Sequence, residues 1–170
     1  FYDQNRVIVN PLRIRDDIQL EMSHSLVLYY TKTSRKSAQI IDKQTANVKS
    51  AASKPIEAMH KVKAQAFNMK ESLLTGDLTN IGQILHESWI NKKAMAEGIS
   101  NPQIDSIYEN AQQNGAIGGK ISGAGGGGFM ILYAESDSRQ KLVNYLNSLE
   151  GQVVPYEFTN KGVISWSVEN

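Results

Sequence analysis

Residues 115–130 read GAIGGKISGAGGGGFM and hold eight of the chain's 13 glycines. Glycine loses more backbone entropy on folding than any other residue, so this concentration needs a local reason. The usual reason is a backbone that takes positive φ angles or approaches a ligand closely, often a phosphate bound by main-chain N–H groups. The apolar run FMILYA follows at 129–134, which predicts a strand, a loop and a strand around the glycines.

Two familiar phosphate-binding loops do not fit this stretch. Residues 123–128 have the GxGxxG spacing of dinucleotide-binding proteins, but a strand follows where that motif needs a helix. A P-loop needs Ser or Thr after its Lys, and Ile121 follows Lys120. A turn without function is less favoured, because Asn-Gly would make it at a lower entropic cost. The favoured interpretation is a loop that approaches a ligand, with Lys120 and Ser122 at its lip.

Length and composition indicate one globular domain with a sizeable core in 170 residues. A net charge of +1 gives no electrostatic argument for nucleic acid or an anionic membrane. Neither an apolar run of about 18 residues nor a signal peptide is visible. The absence of cysteine excludes disulfides and thiol sites and fits a reducing compartment. No metal site is predicted, because His24, His60 and His86 do not cluster at any ligand spacing.

Hydrophobic periodicity predicts an α+β fold. The run LVLYYT at 26–31 has the length of a strand buried on both faces. A ferredoxin-like βαββαβ sandwich, enlarged by extra helices in its first crossover, explains the order of the elements. We expect helices over 16–23, 38–49, 55–74, 77–98, 101–115 and 136–149, and strands at 26–31, around the glycines, at 153–158 and, as a final extra strand, at 163–168.

Apolar stripes on these helices predict core positions rather than a cofactor box. The helix over 55–74 carries Ile56, Met59, Val62, Ala66, Met69 and Leu73 on one stripe, and the next carries Leu78, Ile81, Leu85 and Trp89. The run TKTSRKS at 31–37 stays open between two interpretations. It fits an anion site at a helix N-terminus, and it also fits N-cap chemistry from Thr33 or Ser34.

The string GGKISGAGGGG resembles the third conserved motif of the GHMP small-molecule kinases, Lys-x-Thr/Ser-Gly-Ala-Gly-x-Gly-Gly. The positions that fill this motif are Lys120, Ser122, Gly123, Ala124, Gly125, Gly127 and Gly128. With VIVNPLRI, LVLYYTKTSRKSAQII and the run from LHESWINKK to the glycines, the chain resembles the C-terminal half of bacterial D-glycero-D-manno-heptose 7-phosphate kinases over essentially its whole length. One departure is Lys32, where relatives often carry Gly.

The resemblance implies that residues 1–170 form the C-terminal domain of a GHMP kinase. Such an enzyme moves the γ-phosphoryl group of ATP, with Mg²⁺, onto a hydroxyl of a sugar phosphate, here the anomeric one. The resemblance also places the catalytic base and a Gly-Leu-Gly-Ser-Ser type ATP loop in an N-terminal domain, and no such string occurs here. We therefore expect a fragment, inactive alone, of a cytoplasmic enzyme. Its partners would be ATP, the sugar phosphate and the N-terminal domain, with a homodimer left open.

The same resemblance implies a set of residues that bind substrate and phosphate. Arg35 would help hold the sugar phosphate, because a guanidinium offers phosphate a planar fork of donors. Lys120 and Ser122 would lie near the substrate or the phosphates, beside the backbone of Gly123, Ala124, Gly125, Gly126 and Gly127. The alternatives are a solvated strand-end cation for Lys120 and a surface residue beside a helix cap for Arg35.

Two other functions stay open. A GHMP kinase for another sugar, such as fucose, would share a similar C-terminal layout. A ferredoxin-like module that binds a small molecule or a partner without catalysis belongs to a different class. Coding sequence just upstream of Phe1 separates the classes, because only a kinase needs the Gly-Leu-Gly-Ser-Ser type loop there.

Overall fold

The computed structural model describes residues 2–3, 6–7, 9–33, 37–159 and 161–167, which contain six helices and six strands. The first two strands form a short antiparallel pair, and the other four form the main sheet. In chain order the elements are β1 (Tyr2–Asp3), β2 (Arg6–Val7), α1 (Asp16–Ser25), β3 (Leu26–Tyr30), α2 (Ser37–Lys49), α3 (Ser53–Thr75), α4 (Leu78–Lys93), α5 (Pro102–Gln113), β4 (Gly118–Ile121), β5 (Phe129–Tyr133), α6 (Ser136–Asn147) and β6 (Gln152–Val154).

The main sheet has the order β4-β5-β3-β6, and each neighbouring pair is antiparallel. Read along the chain, this is the split βαββαβ arrangement of ferredoxin-like proteins. The helices α2 to α5 lie in the first crossover and α6 lies in the second. The predicted fold class is therefore confirmed, including the enlargement of the first crossover.

The strand β3 buries one face fully. Val27 and Tyr29 are each 1% exposed, whereas Leu28 and Tyr30 are half-buried. Val27 and Tyr29 pack in the larger core cluster with side chains from α4, α5 and α6. The sequence predicts burial of both faces, and this prediction is wrong for the face that carries Leu28 and Tyr30. The reason is that this cluster gathers the three helices on the side of the sheet that Val27 and Tyr29 face.

Capping residues that the sequence supplies set the helix ends. Gly76 has a φ of +79° and ends α3. Asp77 accepts the N–H of the residue three positions later at 3.2 Å and begins α4. Asn101 begins α5 in the same way, with a distance of 3.0 Å. These ends agree with the predictions, although α4 ends at Lys93 rather than near 98.

The inward face of α3 is more polar than its sequence predicts. Its buried residues include Gln65 and Ser72, while Ala66 of the predicted apolar stripe is exposed. Gln65 Nε2 donates to Glu87 Oε2 at 3.3 Å, and Asn80 Nδ2 donates to Ser72 Oγ at 2.8 Å. Both partners belong to α4. The buried polar side chains of α3 therefore face α4 and form hydrogen bonds with it.

The helix α4 lies very close to the edge strand β4. A Cβ on Gly82 would lie 2.6 Å from Tyr133 Cδ1, and a Cβ on Gly118 would overlap the carbonyl oxygen of Gly82. Side chains at these two positions would push the helix away from the strand. The contact places the C-terminal half of α4 beside the end of β4, where the glycine-rich stretch leaves the sheet.

The predicted final strand over 163–168 is wrong for the residues that the structure describes there, 161–167. Val163, Ile164 and Trp166 are 103%, 61% and 80% exposed, and β6 ends at Val154. The apolar pattern of this segment suits a strand, but a strand needs a hydrogen-bonding neighbour. No other described segment pairs with residues 161–167.

Candidate active site

The glycine loop, residues 122–128, connects β4 to β5. The Ser122 N–H donates to the Phe129 carbonyl oxygen at 2.8 Å, so the loop leaves and rejoins the sheet at facing positions. Five of its glycines have positive φ angles, at positions 123 and 125–128. Residues with a Cβ rarely take such angles, so the glycines themselves shape the loop. The predicted strand, loop and strand are confirmed.

Backbone carbonyls from other parts of the chain accept hydrogen bonds from the glycine loop. The Gly126 N–H donates to the Ile99 carbonyl oxygen at 2.8 Å, and the Gly128 N–H donates to the Thr33 carbonyl oxygen at 2.7 Å. A Cβ on Gly125 would lie 2.7 Å from the same Ile99 oxygen. Close approach to other backbone is therefore one reason for glycine here, in addition to any approach to a ligand.

The segment after β3 forms one of these supports. The Thr31 N–H and hydroxyl both donate to the Gly128 carbonyl oxygen, at 2.9 and 3.0 Å. Lys32 has a φ of +55°, a left-handed conformation that glycine adopts more readily than other residues. Although this position carries Lys where relatives often carry Gly, its backbone has a conformation typical of glycine. Arg35, the predicted sugar-phosphate ligand, lies outside the described residues.

The other side of the loop is open. The N–H groups of Gly123, Ala124, Gly125 and Gly127 have no hydrogen-bond acceptor within the part of the chain that the structure describes. A Cβ on Gly123 would meet no atom within 4 Å. Of these residues Gly123 is exposed, and main-chain N–H groups without acceptors are groups that can bind an anion.

Lys92 of α4 lies beneath the loop. It is 8% exposed, and its ammonium donates to the Ile121 carbonyl oxygen at 2.9 Å and to the Gly123 carbonyl oxygen at 2.5 Å. Burial and, to a smaller extent, the positive charge of Lys120 together lower the pKa of Lys92 to about 8. A buried ammonium thus holds both the end of β4 and the first glycine of the loop.

Lys120 of β4 is half-buried beside it. Its ammonium donates to Ser88 Oγ at 3.3 Å, and burial lowers the pKa of this lysine as well. Neither Lys92 nor Lys120 forms an ion pair with any carboxylate among the described residues. Two adjacent cations without a carboxylate attract an anion from outside the domain.

Sequence reasoning missed Lys92. Two lysines at the end of a helix are ordinarily solvated, where they favour the negative end of the helix dipole. The available signal was helical spacing, because position 92 continues the apolar stripe of Leu78, Ile81, Leu85 and Trp89 by one further step. A lysine at a predicted core position indicates a buried cation.

The remaining candidates are placed differently. Ser122 is exposed at the lip of the loop, and Ala124 is half-buried. His86 Nδ1 lies 2.7 Å from the Tyr108 hydroxyl oxygen. No group of three or more potential metal ligands occurs among the described residues.

Comparisons with known proteins agree with this geometry. Residues 69–150 match the family model described as GHMP kinases C terminal. The chain is 40% identical to D-glycero-alpha-D-manno-heptose 7-phosphate kinase from Campylobacter jejuni over 168 residues, which cover 99% of this chain and 49% of that protein. It is 27% identical over 109 residues to L-fucokinase/L-fucose-1-P guanylyltransferase from Bacteroides fragilis, covering 64% of this chain and 11% of that protein.

A solved structure is similar over the full chain. The crystal structure of a D-glycero-D-manno-heptose 1-phosphate kinase from Bacteroides thetaiotaomicron matches with a TM-score of 0.68 and 33% identity, covering 100% of this chain and 44% of that one. Over residues 69–150 the chain matches the C-terminal domain of the GHMP kinases, and it has the fold of that domain. It spans about half the length of the heptose kinases that it matches.

Gly125→Ala should destabilise the protein more than Gly123→Ala. The added Cβ at 125 meets the Ile99 backbone at 2.7 Å and a φ of +114°, which together cost roughly 2–4 kcal/mol. At 123 the Cβ meets only the left-handed φ of +73°, a cost of about 1 kcal/mol. Urea unfolding of both variants measures the two losses. Equal losses would contradict the packing of the loop on Ile99.

The free energy of unfolding should rise with pH in the range where Lys92 loses its proton. Its pKa is about 8 in the folded protein against 10.5 ordinarily, so above pH 8 the unfolded chain binds more protons than the folded one. From pH 7.5 to 9.5, wild type should gain roughly 1–2 kcal/mol relative to Lys92→Met. Urea unfolding at several pH values measures this gain, and parallel pH profiles for the two proteins would contradict it.

Proposed function

We propose that residues 1–170 are the C-terminal domain of an ATP-dependent sugar-phosphate kinase. The acceptor is the anomeric hydroxyl of D-glycero-D-manno-heptose 7-phosphate. The observation that carries the proposal is the exposed edge of the glycine loop, where N–H groups without an acceptor among the described residues adjoin Lys120. The heptose 7-phosphate kinase that is 40% identical over nearly the whole chain supports the choice of sugar.

The residues of the site suit the charge of a phosphoryl group in transfer. In the reaction, the bond from the γ-phosphorus to the ADP oxygen breaks, and a bond to the anomeric oxygen forms. Enzymes assist such a transfer mainly by positioning and by stabilising charge on the phosphoryl oxygens. The ammonium of Lys120, the hydroxyl of Ser122 and the N–H groups of residues 123–127 are the donors that this domain offers. Arg35 would hold the phosphate already on the sugar.

The rest of the machinery belongs to a second domain of the same protein. The base that accepts the hydroxyl proton and the ATP loop would come from an N-terminal domain, which would close the cleft against the glycine loop. Bound Mg²⁺ supplies positive charge to the nucleotide phosphates. The described residues hold no cluster of metal ligands, so the ion would be held by the phosphates and by that domain.

Location and assembly follow from more general features. No described helix has both the length and the apolarity needed to cross a membrane. The absence of cysteine fits the reducing conditions of the cytoplasm, which is where we place the enzyme. A homodimer is a further hypothesis that measurement of the molar mass in solution would test.

A kinase for another sugar is the second candidate. The match to a fucokinase over 64% of the chain favours it. The two heptose kinases that match also differ in their names, since one is called a heptose 7-phosphate kinase and the other a heptose 1-phosphate kinase. Coding sequence upstream of Phe1 with a Gly-Leu-Gly-Ser-Ser type loop would support either kinase, and its absence would favour a binding module without catalysis.

A screen of sugars with the whole protein, ATP and Mg²⁺ should find the acceptor. We expect ADP release with D-glycero-D-manno-heptose 7-phosphate, and ³¹P NMR should show a new anomeric phosphate. The matched controls are the same heptose without its phosphate, fucose, and ATP alone. Turnover of fucose but not of the heptose phosphate would overturn the choice of sugar, and ADP release with none of these sugars would overturn the kinase assignment.

Lys120→Met should lower kcat roughly 10²-fold, because one donor to the transferred group is lost. The fold should persist, since burial of the ammonium is itself unfavourable. Lys43→Met is the matched control, because Lys43 forms an exposed ion pair with Glu97 far along the chain from the loop. Steady-state kinetics measure both variants. Equal kcat values for Lys120→Met and wild type would show that Lys120 does not contribute to the transfer.

A further inference from the structure

Lys92 contacts the glycine loop from beneath rather than from its open side. Its two acceptors are the carbonyl oxygens of Ile121 and Gly123, which flank Ser122. The side chain is buried and its ammonium donates to these two carbonyls, so it is directed at the backbone of the loop rather than at the open face. Any effect of Lys92 on that face must pass through the backbone that it holds.

The geometry of the peptide unit gives that effect a direction. In a trans peptide, the C=O and the N–H of the next residue point in opposite directions. Because the Gly123 carbonyl faces Lys92 beneath the loop, the Ala124 N–H faces away from Lys92. That N–H has no acceptor among the described residues, and the space around the Cβ position of Gly123 is empty to 4 Å. The peptide between them therefore presents a donor to the open face.

The hydrogen bond from Lys92 to the Ile121 carbonyl agrees with this geometry. The Ile121 carbonyl also faces Lys92, so the Ser122 N–H must face away from it. The Ser122 N–H does find an acceptor, the Phe129 carbonyl oxygen of the neighbouring strand at 2.8 Å. The Lys92 ammonium thus orients two peptides. The N–H of one closes the loop, and the N–H of the other has no acceptor among the described residues.

A neutral donor would satisfy both carbonyls without the penalty of burying a charge. Lys92 keeps a charge that burial and the neighbouring Lys120 both disfavour, and no described carboxylate compensates it. A cation bound to the Gly123 carbonyl polarises that peptide and makes its N–H a stronger donor. An anion on the open face would also relieve the repulsion between the two lysines.

We propose that Lys92 is a positioning residue, which holds the Gly123 carbonyl beneath the loop and thereby directs the Ala124 N–H at the transferred phosphoryl group. This inference rests on the proposed kinase function. Lys92 touches neither the sugar nor the nucleotide, so its contribution is to the orientation of a donor that matters most in the transition state.

Kinetics of the whole protein test this role through the separation of kcat from KM. Lys92→Met should lower kcat 10- to 100-fold, while KM for the sugar phosphate changes less than about threefold. Lys92→Arg keeps a charged donor and should recover most of kcat. Lys93→Met is the matched control, because Lys93 is the next residue of the same helix and instead pairs with Asp105 at 3.0 Å. It should retain the kcat of wild type.

Two kinetic results would overturn the proposal. One is an unchanged kcat for Lys92→Met. The other is a loss of activity that follows the folded fraction seen by circular dichroism, with Lys92→Arg no better than Lys92→Met, because a purely structural role would produce that pattern. If Lys92→Met does not fold, Lys92→Gln replaces it, since an amide can donate to one carbonyl without a charge.

A structural measurement separates this inference from the kinase assignment, because it needs no substrate. Crystal structures of wild type and Lys92→Met should differ in the peptide between Gly123 and Ala124, with its N–H turned from the open face in the variant. The same orientation in both proteins would overturn the role of Lys92, whatever the enzyme phosphorylates. A changed orientation in a protein that phosphorylates no sugar would support the positioning role while the proposed function failed.

Discussion

The candidate site depends on the close contact between α4 and the edge strand β4. Two glycines, Gly82 and Gly118, allow the helix to approach until backbone nearly meets backbone. That approach brings Ser88 to the side chain of Lys120 and Lys92 to the carbonyl oxygens at the end of β4. A wider separation would leave the loop without its ammonium support, since a lysine side chain reaches only a few ångströms past its helix.

The balance of charge at the site favours function over stability. Two lysines are adjacent, one buried and one half-buried, and no described carboxylate compensates either of them. Burial lowers the pKa of both, so each charge costs free energy in the folded protein. Natural domains accept such a cost mainly where an external anion completes the arrangement. The charges beside the glycine loop therefore support the proposal of a ligand that carries negative charge.

Much of the fold was predictable because its signals are local. Asp77 and Asn101 mark helix starts by their capping chemistry. The buried residues of α5 follow helical spacing, and they are Ile104, Ile107, Tyr108 and Ala111. The glycine loop was predictable as a loop, as were Lys120 and Ser122 at its edge. Lys92 was not, because helix-end lysines are ordinarily solvated and only the approach of β4 buries this one.

The sequence by itself determined the order of the elements, the helix caps and the glycine backbone, because propensity, capping and φ preference act within a few residues. Only the tertiary structure decided which side of the loop is open. The bond from Lys92 to Gly123 joins residues 31 positions apart, and the supports at Thr33 and Ile99 are also remote in the chain. The tertiary structure also decided that residues 161–167 do not form a strand with any described neighbour. An apolar pattern favours a strand, but it does not provide a neighbouring strand to pair with. Burial of a charge and the direction of an N–H group depend on which distant atoms arrive beside them.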